Sequence, residues 1–144
     1  MKKNIGFVST RFAGDNKVSI EAVKWADIFQ KSGHQIFWFA GSFGQKAEHN
    51  FLVPEADTKH ALNIWIKKQV FGQKKRKPYV SELIHIQREF LKAKLYDFIK
   101  KFNIDILIAE NILSNPENLL LGLAFTEIVA ELQIPTIAHH HNFF

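Results

Sequence analysis

Apolar residues along the chain fall into two alternating patterns: short runs, and longer stretches with helical spacing. Residues 4–9 carry Ile5, Phe7 and Val8 and read as a first strand. A polar loop over residues 10–17, containing Gly14, leads to a helix that Ser19 can cap and that runs to about residue 31. Gly33 suits its C-terminal stop, and Ile20, Val23, Ile28 and Phe29 are expected on its buried side. Residues 35–40 form a second strand around Ile36-Phe37-Trp38-Phe39, a run of aromatic and β-branched side chains. A loop over 41–50 precedes a short third strand at 51–53, which Pro54 ends.

The second half repeats the alternation. A short helical segment spans about 59–70, and a basic linker follows it. Pro78 opens a long helix to about residue 101, on which Val80, Leu83, Ile84, Phe90, Leu91, Leu95, Phe98 and Ile99 recur at three- and four-residue spacing. Residues 104–109 form a fourth strand, Ile-Asp-Ile-Leu-Ile-Ala. Asn115-Pro116-Glu117 reads as the start of a last helix to about Leu132, apolar nearly all round and so expected to be covered. Residues 136–141 form a fifth, buried strand. Alternating strands and helices argue for an α/β fold, a Rossmann-like parallel sheet with helices on both faces, right-handed crossovers and strand order 3-2-1-4-5.

Composition narrows the picture. A length of 144 residues suits one domain, 47% apolar content excludes a disordered chain, and the absence of cysteine excludes disulfides, thiolate metal sites and a cysteine nucleophile. Residues 5–8 are too short an apolar run for a signal-peptide core, so a cytoplasmic protein is expected. The net charge of +5 is concentrated in Lys67, Lys68, Lys74, Lys75, Arg76 and Lys77, with no acid among them. Such a patch is not a nucleic-acid-binding field, and it leaves open a solvated linker or peripheral contact with an anionic membrane through residues 67–77.

Ligands of open α/β sheets bind beyond the carboxyl ends of the strands. If the first, fourth and fifth strands are neighbours, those ends present Ser9-Thr10-Arg11, Glu110-Asn111 and His139-His140-His141 to one crevice. Arg11, Gly14, Asp15 and Lys17 lie in the first loop, at a helix start whose N–H groups favour anions and sugar hydroxyls. That loop is neither a Walker sequence nor Gly-x-Gly-x-x-Gly. Strand alternation lets His139 and His141 share a side, with Glu110 as a third ligand of a metal, but the spacing matches no standard site. The reading adopted is therefore no metal, with one or two histidines lining a polar pocket.

Val8-Ser9-Thr10-Arg11-Phe12-Ala13-Gly14, followed by Val18-Ser19-Ile20-Glu21-Ala22-Val23-Lys24-Trp25-Ala26, resembles the opening of family 4 glycosyltransferases. The segment from Gly33 to Gly41 looks like their second strand, and the segments from Ile104 to Asn111 and from Ile134 to His141 look like their fourth and fifth. The resemblance implies the N-terminal, acceptor-side half of a GT-B fold and retaining transfer from a nucleotide-sugar donor to a hydroxyl acceptor. It implies neither a cofactor nor a catalytic metal. It assigns His140 or His141 to the transferred sugar and Gly14 with its neighbours to the reacting centre. The residues left for substrate contact are Arg11, Asp15, Lys17, Glu110, Asn111 and His139. Where Lys17 and Asn142 stand, such enzymes commonly carry Gly and Asp. The donor-binding domain is expected to be absent from residues 1–144, leaving the isolated chain inactive. A separate chain supplying that half, self-association through Phe143 and Phe144, and a non-catalytic binding module remain alternatives.

Overall fold

The computed structural model describes residues 1–14, 16–113 and 117–141. Asp15, the Asn115-Pro116 helix start, Asn142, Phe143 and Phe144 lie outside the described residues. The chain runs through β1 (Asn4–Val8), α1 (Lys17–Lys31), β2 (Gln35–Ala40), β3 (Asn50–Leu52), a short 3₁₀ turn (Pro54–Ala56), α2 (Ala61–Val70), α3 (Pro78–Phe102), β4 (Ile106–Glu110), α4 (Leu119–Leu132) and β5 (Thr136–His139). The sheet order is β3-β2-β1-β4-β5, and every pairing is parallel. This is the Rossmann-like α/β architecture and strand order read from the alternation of elements.

Strand periodicity sorts the core onto the two faces of the sheet. Ile5, Phe7, Ile36 and Ile108 pack on one side with Ala22 and Ala26 of α1. Val8, Phe37, Phe39, Leu107 and Ala109 pack on the other with Leu91, Leu95 and Phe98 of α3 and Leu121, Phe125 and Ile128 of α4. Gly6 belongs to the second face: a Cβ there would lie 2.7 Å from Cε2 of Phe98, so the missing side chain seats the aromatic ring on the sheet.

Four local expectations change. Asn16, not Ser19, caps α1, accepting the Ser19 N–H on Oδ1 at 2.7 Å. The buried face of that helix is Ser19, Ala22 and Ala26, whereas Ile20, Val23 and Ile28 are exposed. Small residues let the helix backbone approach the aromatic face of the sheet, and this outweighs the apolar stripe. The last helix begins at Leu119, with Asn118 as its cap, accepting the Leu121 N–H at 3.1 Å. Finally, β5 is an edge strand with Ile137 and Ala138 exposed, not a buried one, because no element among the described residues flanks its outer side. At the far end of α4, Gln133 closes the helix in the left-handed region (φ 50°), donating its N–H to the Val129 carbonyl.

Candidate functional site

Register fixes the site. Val8 pairs with Ala109, and Glu110 pairs with His139, so β1, β4 and β5 end side by side. Beyond those ends lies a crevice of about 370 Å³. Its floor and walls include Thr10, Arg11, Asn111 and His141, with Lys17 from the first turn of α1 and Lys59 from the loop before α2. Ser9 locks the first strand to the fourth by donating its hydroxyl to the Glu110 carbonyl at 3.1 Å. Thr10 donates its hydroxyl to Oε2 of Glu117 at 3.2 Å.

The crevice wall on β4 and β5 is built around one carboxylate. Glu110 is fully buried, and its Oε1 lies 3.0 Å from Nδ1 of His139 while its Oε2 lies 2.7 Å from Nε2 of His141. β5 ends at His139, short of the expected His141, yet both rings converge on the one carboxylate, His141 from just past the strand end. Asn111 completes the bracket. It leaves β4 in the left-handed region (φ 61°), donates its N–H to the His139 carbonyl at 2.9 Å and accepts the His141 N–H on Oδ1 at 3.1 Å. Trp25 of α1 packs against the His139 ring with centroids 5.0 Å apart.

The electrostatics of the crevice favour an anion. Arg11, Lys17 and Lys59 line it, and none of them forms an ion pair among the described residues. The two acidic side chains in the lining are already engaged: Glu117 by the Thr10 hydroxyl, and Asp57 by the Lys59 N–H at 3.1 Å. The start of α1 adds the positive end of its dipole.

The residues singled out from sequence separate into groups. Arg11, Lys17, Asn111 and His141 line the crevice together. Glu110 and His139 stand behind His141 as its support. Gly14 lies instead in a neighbouring cavity of about 250 Å³ with Phe12, Trp38 and Phe43, and His140 is not among the crevice-lining residues. The basic stretch is also apart from the crevice. Lys67 and Lys68 sit in the last turn of α2, where cations complement the helix dipole, and residues 73–77 are exposed.

Sequence reasoning missed the opposite wall, Asp57, Thr58 and Lys59. That loop is pressed against Gly41, where a Cβ would lie 2.0 Å from the Asp57 nitrogen. It is further held by Asn63, whose side chain donates to the Thr58 and Glu117 carbonyls, and by Asn118, which donates to the Glu55 carbonyl. A glycine straight after a strand is the one signal pointing to this close approach. Among the described residues, no helix is long and apolar enough to cross a membrane.

The chain is 26% identical over 142 residues to the mannosylglucosylglycerate synthase of Petrotoga mobilis, a glycosyltransferase. The match covers 97% of this chain and 32% of that protein, so the chain spans about a third of its relative's length. No family model and no solved structure matches. The similarity supports a glycosyltransferase relationship for the chain.

Proposed function

We propose that this chain is the acceptor side of a glycosyltransferase of the GT-B type, and that its acceptor carries a carboxylate beside the hydroxyl that receives the sugar. The observation that carries the reading is the crevice at the ends of β1, β4 and β5, where Arg11, Lys17 and Lys59, none of them ion-paired among the described residues, stand beside Asn111 and His141. Two further features support it: similarity to a synthase whose printed name includes a glycerate, and the ordered resemblance of the sequence segments to family 4 enzymes. In this reading the three cations and the start of α1 hold the carboxylate. Asn111 and His141 engage hydroxyls. Glu110 fixes the His141 ring so that no reorganisation is needed as charge develops in the transition state. The nucleotide-sugar is held by a separate donor-binding domain, which brings the leaving group to this wall and excludes water.

The acceptor half is tested by isotope-edited NMR titration with glucosylglycerate, and with uncharged glucosylglycerol as its comparison. Shifts centred on Thr10, Arg11, Lys17 and Asn111 are expected, with the charged compound preferred. Arg11→Ala should remove that preference, at a cost of about tenfold in affinity, as expected for a lost charge-assisted hydrogen bond. Equal binding of both compounds would overturn the acidic acceptor. Transfer is tested in a fusion of this chain to the unmatched part of the Petrotoga protein, assayed with labelled nucleotide-sugars. A folded fusion that binds donor and acceptor but transfers nothing would overturn the transferase reading.

A further inference from the structure

We infer that Glu110, His139 and His141 form a binding site for a divalent cation of the zinc type, set behind the crevice wall. One imidazole nitrogen from each of His139 and His141 and a carboxylate oxygen of Glu110 all lie within 4.8 Å of one another. A zinc ion takes imidazole nitrogen and carboxylate oxygen at about 2.0–2.2 Å, which separates tetrahedral ligand atoms by about 3.3 Å. The present nitrogen–oxygen separations of 3.0 and 2.7 Å are a few tenths of an ångström from that value. An ion can replace the shared protons if the side chains adjust so that the two imidazole nitrogens also draw to that spacing.

Burial adds the driving force. The Glu110 side chain is 0% exposed, that of His141 4% and that of His139 23%. A carboxylate so far from water gains strongly from a cation held between it and two neutral imidazoles. The donors are also preorganised. Glu110 and His139 are register partners on paired strands, Asn111 bonds to the backbone of both His139 and His141, and Trp25 packs on the His139 ring. Two nitrogens and one carboxylate, without a thiolate, suit zinc, cobalt or nickel, whereas magnesium and calcium prefer all-oxygen sets. The second Glu110 oxygen supplies a fourth donor. The ion would clamp the ends of β4 and β5 and orient His141 without taking part in sugar transfer.

This inference does not rest on the transferase reading, and its test involves no sugar. The untagged chain, stripped with EDTA, is titrated with zinc in a calorimeter and with cobalt by visible absorption. One ion per chain is expected, with d–d bands of low-symmetry nitrogen–oxygen coordination and a raised melting temperature. Magnesium should give no signal. Glu110→Gln and His139→Ala should each weaken zinc binding by at least about tenfold. His85→Ala, at an exposed histidine of α3, should leave it unchanged. Because Glu110 is fully buried, a failure of its variant to fold is uninformative, and His139→Ala, at the most exposed of the three, decides on its own. A folded chain with no saturable zinc or cobalt binding, or with binding unaltered by His139→Ala, would overturn the site, leaving Glu110 as a hydrogen-bonding brace for two rings.

Discussion

At the scale of single residues, two glycines stand in opposite environments. A Cβ on Gly41 would lie 2.0 Å from the Asp57 nitrogen and 2.4 Å from its Cα, both backbone atoms that cannot swing aside. Gly41→Ala should destabilise the fold by about 3 kcal/mol, the scale of overpacking, and should displace the Asp57–Lys59 wall. Gly14 has no atom within 4 Å of where its Cβ would lie, so Gly14→Ala should change stability by less than about 0.5 kcal/mol. Urea denaturation of the two variants checks both values, and equal destabilisation would contradict the contrast. The same comparison shows what sequence reveals at this scale. Glu110, His139 and His141 were legible as a group because neighbouring strands end together, although β5 stops at His139 and His141 reaches the carboxylate from beyond it. The wall at Asp57–Lys59 was not, because a non-local backbone approach creates it.

Elements were legible where their signals are strong and local. Pro78 begins α3 as expected, and Gly33 follows α1 with φ 94°. The buried face of α1 was misread because apolar spacing ranks side chains by hydrophobicity, while the sheet selected small ones. Between α3 and α4 runs a charged clasp no periodicity announces. Lys92 and Tyr96 both donate to Glu131, the tyrosine at 2.6 Å, while Arg88 and Lys92 also reach Glu127. The Lys92 bond, and then the Tyr96 bond, lower the Glu131 carboxyl below its ordinary value, and Glu131 raises the Lys92 ammonium. The Glu131 contribution is therefore full above the ordinary carboxylate value and is lost as pH falls through the lowered one. The Lys92 contribution is full below the ordinary lysine value and is lost as pH rises through the raised one. Glu131→Gln should lower the urea midpoint slightly near neutrality, and the gap from the parent should close at both extremes and in high salt. A gap independent of pH would show that the clasp acts through packing alone.

For the whole molecule, the two sides of the sheet are unequal. α3 and α4 bury Val80, Ile84, Leu91, Leu95, Phe98, Leu120, Leu121, Phe125 and Ile128, while α1 buries Ser19, Ala22 and Ala26. Local opening follows the apolar area that holds an element down. Amides of α1 should therefore exchange with deuterium through smaller openings than those of α3 and α4, and uniform protection across the three helices would refute this. The topology itself was readable from the order of elements, because right-handed crossovers leave few ways to lay parallel strands side by side. That the rim strand β5 leaves Ile137 and Ala138 exposed was not readable, since an apolar run looks alike whether covered or bare.

Gln133 carries a consequence for how far this protein sits from its own stability optimum. A residue with a side chain ends α4 at φ 50°, where glycine is at ease. Selection has left that strain in place, which marks the helix end as headroom for engineering. Gln133→Gly should raise stability by about 0.5–1 kcal/mol, net of the entropy that glycine adds to the unfolded chain. Its side chain is exposed and outside the crevice lining, so the gain should leave ligand affinity untouched. A melting temperature at or below that of the parent would show that Gln133 already earns its place.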